Sequence, residues 1–318
     1  MRTPSPTDLK VLLPLEPEEE ISDLTHVVRA LLRPERTHLR RYFVHRPIGE
    51  ELFLDPSYAK LPEIARLEFE AENASRVCSE RGMQQLEQAG FLVSAEVVRG
   101  SPTAEVLREA RLWPADLLAV RARRADARDE RLGGMATALL TLATCPVLTY
   151  REVPADYRVR RILIPTDFTP ASRMSSDWGF ALAEDAGARV DLLHVLPEGR
   201  DHRGIESEDL VRMAAEELET WRQRAGRLFS PRAATAEVIS AGLPSEGILE
   251  TLRAREHDLV VLAASRISAV HALLLGSNTR RVVRWSPVPA LVIPSSNRAA
   301  LEVLRRGAAA VEHATATT

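Results

Sequence analysis

The feature that most constrains the fold is an internal repeat that runs through most of the 318-residue chain. Residues 159–168 read Val-Arg-Arg-Ile-Leu-Ile-Pro-Thr-Asp-Phe, and residues 10–17 read Lys-Val-Leu-Leu-Pro-Leu-Glu-Pro. In each segment an apolar run ends near a proline, and an acid stands two positions beyond that proline. Glu16 and Asp167 are therefore equivalent, 151 positions apart. A repeat at this distance predicts two related domains.

The two units stay aligned further along the chain. Three more segments match in the same order, at offsets of 142, 142 and 143 residues: 100–102 with 242–244, 116–118 with 258–260, and 145–148 with 288–291. The repeat therefore predicts a first, more diverged domain at residues 9–150 and a second at 158–294, followed by a C-terminal tail at 295–318.

Each unit alternates short apolar runs with amphipathic segments. In the second unit this pattern predicts strands at 161–165, 190–196, 236–240, 259–263 and 290–293, and helices at 170–186, 206–228, 245–254 and 277–285. The first helix of the first unit carries one apolar face: Ile21, Leu24, Val27, Val28, Leu31 and Leu32. Strands separated by helices predict an α/β fold, with two doubly wound, Rossmann-like parallel-sheet domains in tandem.

Composition excludes several classes of protein. A formal net charge of −3 gives no basic surface for nucleic acid. The cysteines, Cys78 and Cys145, are far apart and form no metal-ligand pair, so a disulfide framework or a metal site is not expected. No apolar run approaches the roughly 20 residues of a membrane span. The polar N-terminus carries no signal peptide, so a cytoplasmic location is expected.

Taken in order, the motifs of the second half resemble the universal stress protein family. They are Ile-Leu-Ile-Pro-Thr-Asp, Val-Asp-Leu-Leu-His-Val, Gly-Leu-Pro, Asp-Leu-Val-Val, a Gly-Ser pair before a helix, and Ser-Pro-Val-Pro-Ala-Leu-Val-Ile. The resemblance covers 9–150 and 158–294, and the first half is identified mainly by its match to the second. In this family the last strands mediate pairing between domains. The resemblance thus implies an intramolecular pseudo-dimer through the strands that hold Leu148 and Leu291.

ATP-binding members of the family carry a Gly-x2-Gly-x9-Gly-Ser/Thr pattern after the fourth strand. Glycines let the backbone approach phosphate, and the final pair lies at a helix N-terminus that favours an anion. Gly276-Ser277 matches the end of the pattern, but Ala263 and Arg266 stand where the earlier glycines should be. In the first half Gly133-Gly134 matches the end, with Val120 and Arg123 in the glycine positions.

These departures leave two interpretations of the second half. An arginine in place of a glycine blocks the phosphate sterically, which is the preferred interpretation, or its guanidinium binds phosphate itself. The degenerate ATP-type site comprises the following residues: Asp167, Val195, Ala263, Arg266, Gly276, Ser277 and Asn278. The resemblance gives Val195 a backbone contact to the base and makes His45 its counterpart in the first half.

Three side chains each have a structural and a functional interpretation. Asp167 contacts a ribose or caps the following helix or loop. Ser277 donates to a phosphate, caps its helix, or does both. His194, inside an apolar strand, is expected to be a core histidine with its hydrogen bonds satisfied rather than a base. No nucleophile stands at a motif spacing near it, so no catalytic residue is assigned.

Two functional hypotheses follow. The first is a tandem universal stress protein with degenerate nucleotide sites, a stress-response binding or regulatory protein and not an enzyme. It would act through an unknown protein partner or a small ligand other than ATP. The alternative is an ATP-binding switch or very slow ATPase that uses the cleft of the second half. Under this alternative ATP is the cofactor, and it binds in that cleft. A homodimer of the whole chain is left open, and neither nucleic acid nor membrane is expected as a partner.

Overall fold

The computed structural model describes residues 4–5, 8–15, 21–46, 62–122, 134–198, 207–264 and 275–294. In the first half it contains β1 (Leu9–Leu15), α1 (Ile21–Leu31), β2 (Thr37–His45), α2 (Pro62–Gln88), β3 (Leu92–Arg99), α3 (Pro102–Leu112), β4 (Leu117–Arg121), α4 (Gly134–Leu142) and β5 (Val147–Tyr150). In the second half it contains β6 (Arg161–Pro165), α5 (Pro170–Ala186), β7 (Arg189–Pro197), α6 (Ser207–Gly226), β8 (Ala233–Ala241), α7 (Pro244–Ala254), β9 (Leu259–Ala264), α8 (Ser277–Trp285) and β10 (Ala290–Pro294).

The α/β fold class and the predicted elements of the second half are confirmed. The bounds of β6, α5 and α8 agree with the prediction to the residue, and β8 differs most because it begins three residues earlier, at Ala233. Helix α5 ends as its sequence predicts, with Gly187 in the left-handed conformation at φ 64°. None of the helices in the described ranges is long and apolar enough to cross a membrane.

The ten strands of the described ranges belong to one sheet, in the order β3-β2-β1-β4-β5-β10-β9-β6-β7-β8. Each half contributes five parallel strands in the same internal order, and β5 and β10 join the halves in an antiparallel ladder. In that ladder Leu148 lies opposite Leu291, flanked by the pairs Val147–Val292 and Thr149–Ala290. The predicted pairing of the last strands within the chain is therefore confirmed. The tail at 295–318 lies outside the described residues.

Helices cover both faces of this sheet, and each face has its own apolar core. Ile162 and Ile164 of β6 point into one core and Leu163 into the other, which is why the strands are apolar throughout rather than alternating. Both cores contain residues of both halves, so each continues across the β5–β10 ladder. Gly179 lets α5 lie close to β6, because a Cβ there would fall 2.3 Å from Cδ1 of Ile164.

Side chains around the connector between the halves reinforce this junction. The guanidinium of Arg151 donates to the carbonyl oxygens of Ser286 (3.0 Å) and Arg284 (2.7 Å) at the C-terminal end of α8, where carbonyl groups lack partners within the helix. The hydroxyl of buried Tyr157 donates to the carbonyl oxygen of Asp258 at 2.6 Å. Burial raises the pKa of Tyr157, so this donor keeps its proton. The connector is therefore fastened to the second half at two points.

We expect Arg151→Ala to lower the free energy of unfolding by about 1–3 kcal/mol, because two carbonyl oxygens lose a charged donor. Equilibrium urea unfolding measures this change. Arg253→Ala is the matched control: Arg253 is solvent-exposed on α7, and its loss should change stability by no more than about 0.5 kcal/mol. Equal effects of the two variants would show that Arg151 does not fasten α8 to the junction.

Candidate functional site

The predicted site residues that the structure describes lie at the carboxyl ends of the second-half strands. Asp167 follows β6, Val195 is near the end of β7 and Ala263 is near the end of β9. The register places Pro165 opposite Leu193, so Asp167 lies level with Val195 on the neighbouring strand. Open α/β sheets bind ligands at this edge, where the strand order reverses. Arg266 lies outside the described residues.

The carboxylate of Asp167 is held within its own turn. Its Oδ1 accepts hydrogen bonds from the backbone N–H of Thr169 (3.1 Å) and from the Thr169 hydroxyl (2.6 Å). Thr169 is the residue that caps α5, since its Oγ1 accepts from the backbone N–H of Ser172 at 3.2 Å. Partial burial acts to raise the pKa of Asp167, but the hydrogen bonds from Thr169 and Ser172 outweigh it and hold that pKa below its usual value. Asp167 therefore braces the loop and the cap, and does not cap the helix itself.

The next residue, Phe168, shapes the turn in a way that sequence reasoning missed. Its backbone has φ 62°, a left-handed conformation that is costly for a large side chain. Its ring stacks on His194 with centroids 4.4 Å apart and meets Trp221 edge-on at 5.7 Å. These aromatic contacts offset the backbone strain and fix the direction in which Asp167 leaves the strand.

His194, which the sequence predicted to be a core histidine with its hydrogen bonds satisfied, is half-buried and forms a hydrogen bond through one ring nitrogen. Its Nδ1 lies 2.8 Å from the carbonyl oxygen of Thr166, so Nδ1 carries the proton and donates. Burial lowers the pKa of His194, against the smaller opposing effects of the Thr166 carbonyl and the Asp167 carboxylate. The ring is therefore mainly neutral at pH 7. It ties β7 to the end of β6 and supports the Phe168 ring.

The side chain of Val195 packs against α7. The residue is buried, and a Cβ placed on Gly247 of α7 would fall 3.0 Å from Val195 Cγ1. One expectation needs correction here. Tyr42 lies opposite Pro14 and Leu193 lies opposite Pro165, so the first-half counterpart of Val195 is Val44, not His45. The sequence comparison was one residue out of register in β2.

Helix α8 begins beside the end of β9, and one hydroxyl joins them. Thr279 Oγ1 donates to the carbonyl oxygen of Ala263 at 2.9 Å, a contact that sequence reasoning missed although Thr279 lies on the buried side of the first turn. The N-cap residue is Gly276, whose carbonyl oxygen accepts from the N–H of Arg280 at 2.9 Å. Ser277 is therefore not the cap that one interpretation expected. It lies solvent-exposed in the first turn, beside exposed Asn278.

In the first half, the position equivalent to Ala263 is filled by a larger apolar side chain, that of Val120. Val120 of β4 is buried, lies opposite Thr149 of β5, and packs into the core on that face of the sheet. Glu16, Arg123 and Gly133 lie outside the described residues. Within the described ranges, no group of three or more His, Cys, Asp or Glu residues is placed to hold a metal ion.

Comparison with known proteins identifies the family to which these two halves correspond. The model of the Universal stress protein family matches residues 44–151 and 158–294, which together make up more than half of the chain. The chain therefore belongs to the universal stress protein family, and both halves carry the match. The match to the first half begins only at the end of β2, so β1 and α1 lie outside it. These two elements are assigned to the first unit by the sequence repeat and by their place in the sheet and its helical layers.

Individual relatives agree with this assignment. A Thermus aquaticus protein named "Universal stress protein in QAH/OAS sulfhydrylase 3'region" is 27% identical over 135 residues, which are 42% of this chain and 98% of the relative. A universal stress protein structure from Archaeoglobus fulgidus DSM 4304 has a TM-score of 0.64 at 20% identity, covering 90% of this chain and 96% of its own. The structure of a functionally unknown protein from Pseudomonas aeruginosa PAO1 has a TM-score of 0.63 at 16% identity. The match covers 95% of this chain and 97% of the Pseudomonas chain. At these identities the two structures show a shared two-domain fold.

We expect Asp167→Asn to lower the free energy of unfolding at pH 7 by about 0.5–1 kcal/mol, because a neutral amide oxygen accepts more weakly from Thr169 than a carboxylate does. The folded-state pKa of Asp167 is depressed, so this stabilisation is present at neutral pH and is lost as the pH falls through that pKa. Urea unfolding at pH 7 and at acid pH measures both effects. The matched control is Asp156→Asn, at an exposed connector residue, which should change stability by no more than about 0.5 kcal/mol. An Asp167→Asn variant as stable as the wild type, or more stable, would contradict the bracing role.

Proposed function

We propose that this chain is a stress-response binding and regulatory protein of the cytoplasm, built from universal-stress-protein domains at 9–150 and 158–294. Its two nucleotide-type clefts have departed from the ATP-binding form, so the chain acts through a protein partner or a small ligand other than ATP. The observation that carries the proposal is the loss of both early glycines of the phosphate pattern in each half. Ala263 and Arg266 replace them in the second half, and Val120 and Arg123 replace them in the first.

The described contacts of these positions support the proposal. A phosphate chain is bound by backbone N–H groups only where no side chain keeps it at a distance. Val120 places a buried apolar side chain at one such position. Ala263 is paired with Ile293 in the sheet, and its carbonyl oxygen is already bound to the Thr279 hydroxyl. Both positions therefore contribute to the packing of the domain rather than to an open loop.

Part of the anion-binding character of the second cleft is nevertheless retained. The first turn of α8 exposes Ser277 and Asn278, and a helix N-terminus carries a partial positive charge. The Asp167 carboxylate follows β6, the strand next to β9, and is already bound by Thr169. This combination suits a small or singly charged ligand group, or an acidic side chain of a partner, better than a triphosphate.

Titration with a fluorescent ATP analogue tests the proposal. We expect the wild-type protein to show no micromolar affinity that depends on Gly276 and Ser277. Ala263→Gly, Arg266→Gly should bind the analogue in the α8 cleft at least about tenfold more tightly, because the backbone becomes accessible. Adding Gly276→Ala, Ser277→Ala to that variant should remove the gain. Gly276 has φ −53°, which any residue adopts, so alanine there causes no backbone strain.

The opposite result would favour the ATP-binding switch. Micromolar affinity in the wild type that disappears in Gly276→Ala, Ser277→Ala would show a working nucleotide cleft in the second half. In that case Arg266 contributes its guanidinium to the phosphates, and Arg266→Gly would weaken binding instead of strengthening it. Release of inorganic phosphate from ATP would then distinguish a switch from a slow ATPase.

A further inference from the structure

A second concave site lies at the opposite edge of the sheet, between the two halves. It has a volume of about 480 Å³ and is formed by the C-terminal end of α1 with residues 29–34, the connector 158–160, the end of α5 at 185–187, and Arg232 before β8. These segments precede β2, β6, β7 and β8, so the site lies at the amino ends of the strands. We call it the arginine crevice. Both halves contribute to its walls.

Among the described residues that line the crevice, five are arginines and one is a carboxylate: Arg29, Arg33, Arg158, Arg160, Arg232 and Asp185. Arg33 is paired with the carboxylate, its Nε lying 3.0 Å from Asp185 Oδ1. This ion pair crosses from the first half to the second. The other four arginines are solvent-exposed around it. The cluster is a local excess of positive charge on a chain whose formal net charge is −3.

The groups that could neutralise these arginines include Asp258, whose Oδ2 accepts from the backbone N–H groups of Arg160 (2.8 Å) and Arg161 (2.9 Å). The C-terminal ends of α1 and α5 each contribute roughly half a negative charge towards this edge. The last turn of α5 already has partners for two carbonyl oxygens, because the N–H groups of Gly187 and Ala188 bind them. Glu35 and Arg36 also act on Asp185 from the first half, and their charges are opposite. Arg158 donates one guanidinium N–H to the carbonyl oxygen of Tyr157 at 3.0 Å. A net positive field therefore remains in the crevice.

We propose that the arginine crevice binds a multiply charged oxyanion of the oligophosphate class, held by arginines of both halves. The planar guanidinium matches phosphate oxygens with paired N–H donors, and several such groups suit a ligand that carries several charges. The volume falls in the range of small-ligand sites, roughly 300–1,000 Å³. A ligand there touches the first half, the connector and the second half together, so binding also stabilises their junction. This site is separate from the cleft at the carboxyl edge.

Isothermal titration calorimetry with inorganic tripolyphosphate at low ionic strength tests the proposal. We expect binding to the wild type and an affinity lower by a factor of about ten or more in Arg158→Gln, Arg160→Gln, because two of the five guanidinium groups are gone. The matched control is Arg111→Gln, Arg253→Gln. These two arginines occupy equivalent exposed positions on α3 and α7, so the control removes the same charge elsewhere and should bind normally.

The outcome is decided by three comparisons. The absence of tripolyphosphate binding to the wild type, or an equal loss in both double variants, would overturn the proposal. If Arg158→Gln, Arg160→Gln melts at a lower temperature than the wild type, Arg29→Gln, Arg232→Gln serves as the second test with the same expected loss. A parallel titration with ATP separates the two edges of the sheet. ATP bound through its phosphates in the crevice is lost in Arg158→Gln, Arg160→Gln, whereas ATP bound in the α8 cleft survives it and is lost in Gly276→Ala, Ser277→Ala.

Discussion

The antiparallel ladder between β5 and β10 is the interaction on which the rest of the molecule depends. Without it each half would be a five-stranded sheet ending in an apolar edge strand with unpaired backbone groups, which invites pairing with other chains. The pairs from Val147–Val292 to Thr149–Ala290 remove both edges at once. They also let the two cores run continuously from one half into the other. The chain thereby supplies both members of a pairing that needs two domains.

This arrangement gives the sheet two chemically different edges. The carboxyl ends of the second-half strands carry the family-type cleft, with Asp167 braced by Thr169 and α8 attached to β9 through Thr279. The amino ends carry the arginine crevice, which depends on both halves because Arg33 and Asp185 come from different ones. The early glycines of the phosphate pattern are absent at one edge, and the anion site that we propose lies at the other.

The two halves have also diverged in their surfaces. Helix α8 of the second half reads Ser-Asn-Thr-Arg-Arg-Val-Val-Arg-Trp, whereas α4 of the first reads Gly-Met-Ala-Thr-Ala-Leu-Leu-Thr-Leu. Both keep the buried positions, Val282 and Val283 in one and Leu139 and Leu140 in the other. The exposed positions carry arginines in α8 and uncharged residues in α4. The packing of the domain constrains the buried positions, whereas the exposed positions can change with function.

Sequence reasoning predicted what depends on periodicity and short-range chemistry. Apolar runs located the strands, the pattern at 170–186 gave the bounds of α5, and the family resemblance predicted pairing of the strands that hold Leu148 and Leu291. It missed what depends on contacts between distant elements. The left-handed backbone of Phe168 is offset by rings on β7 and α6, and the crevice arises only when segments far apart in sequence meet. Sequence reasoning was wrong by one residue at two positions. It matched His45 instead of Val44 to Val195, and one interpretation made Ser277 instead of Gly276 the cap of α8. Both positions are set by hydrogen bonding, which periodicity does not show.

The claim that the halves form one continuous sheet is tested most directly by native-state hydrogen exchange measured by mass spectrometry. Peptides that cover β5 and β10 should exchange as slowly as those covering β1 and β6, because all four strands are interior to the sheet and open only with global unfolding. The outer strands β3 and β8 should exchange faster. Exchange of β5 and β10 at the rate of β3 and β8 would contradict this account, since it would mean that the two halves separate without unfolding.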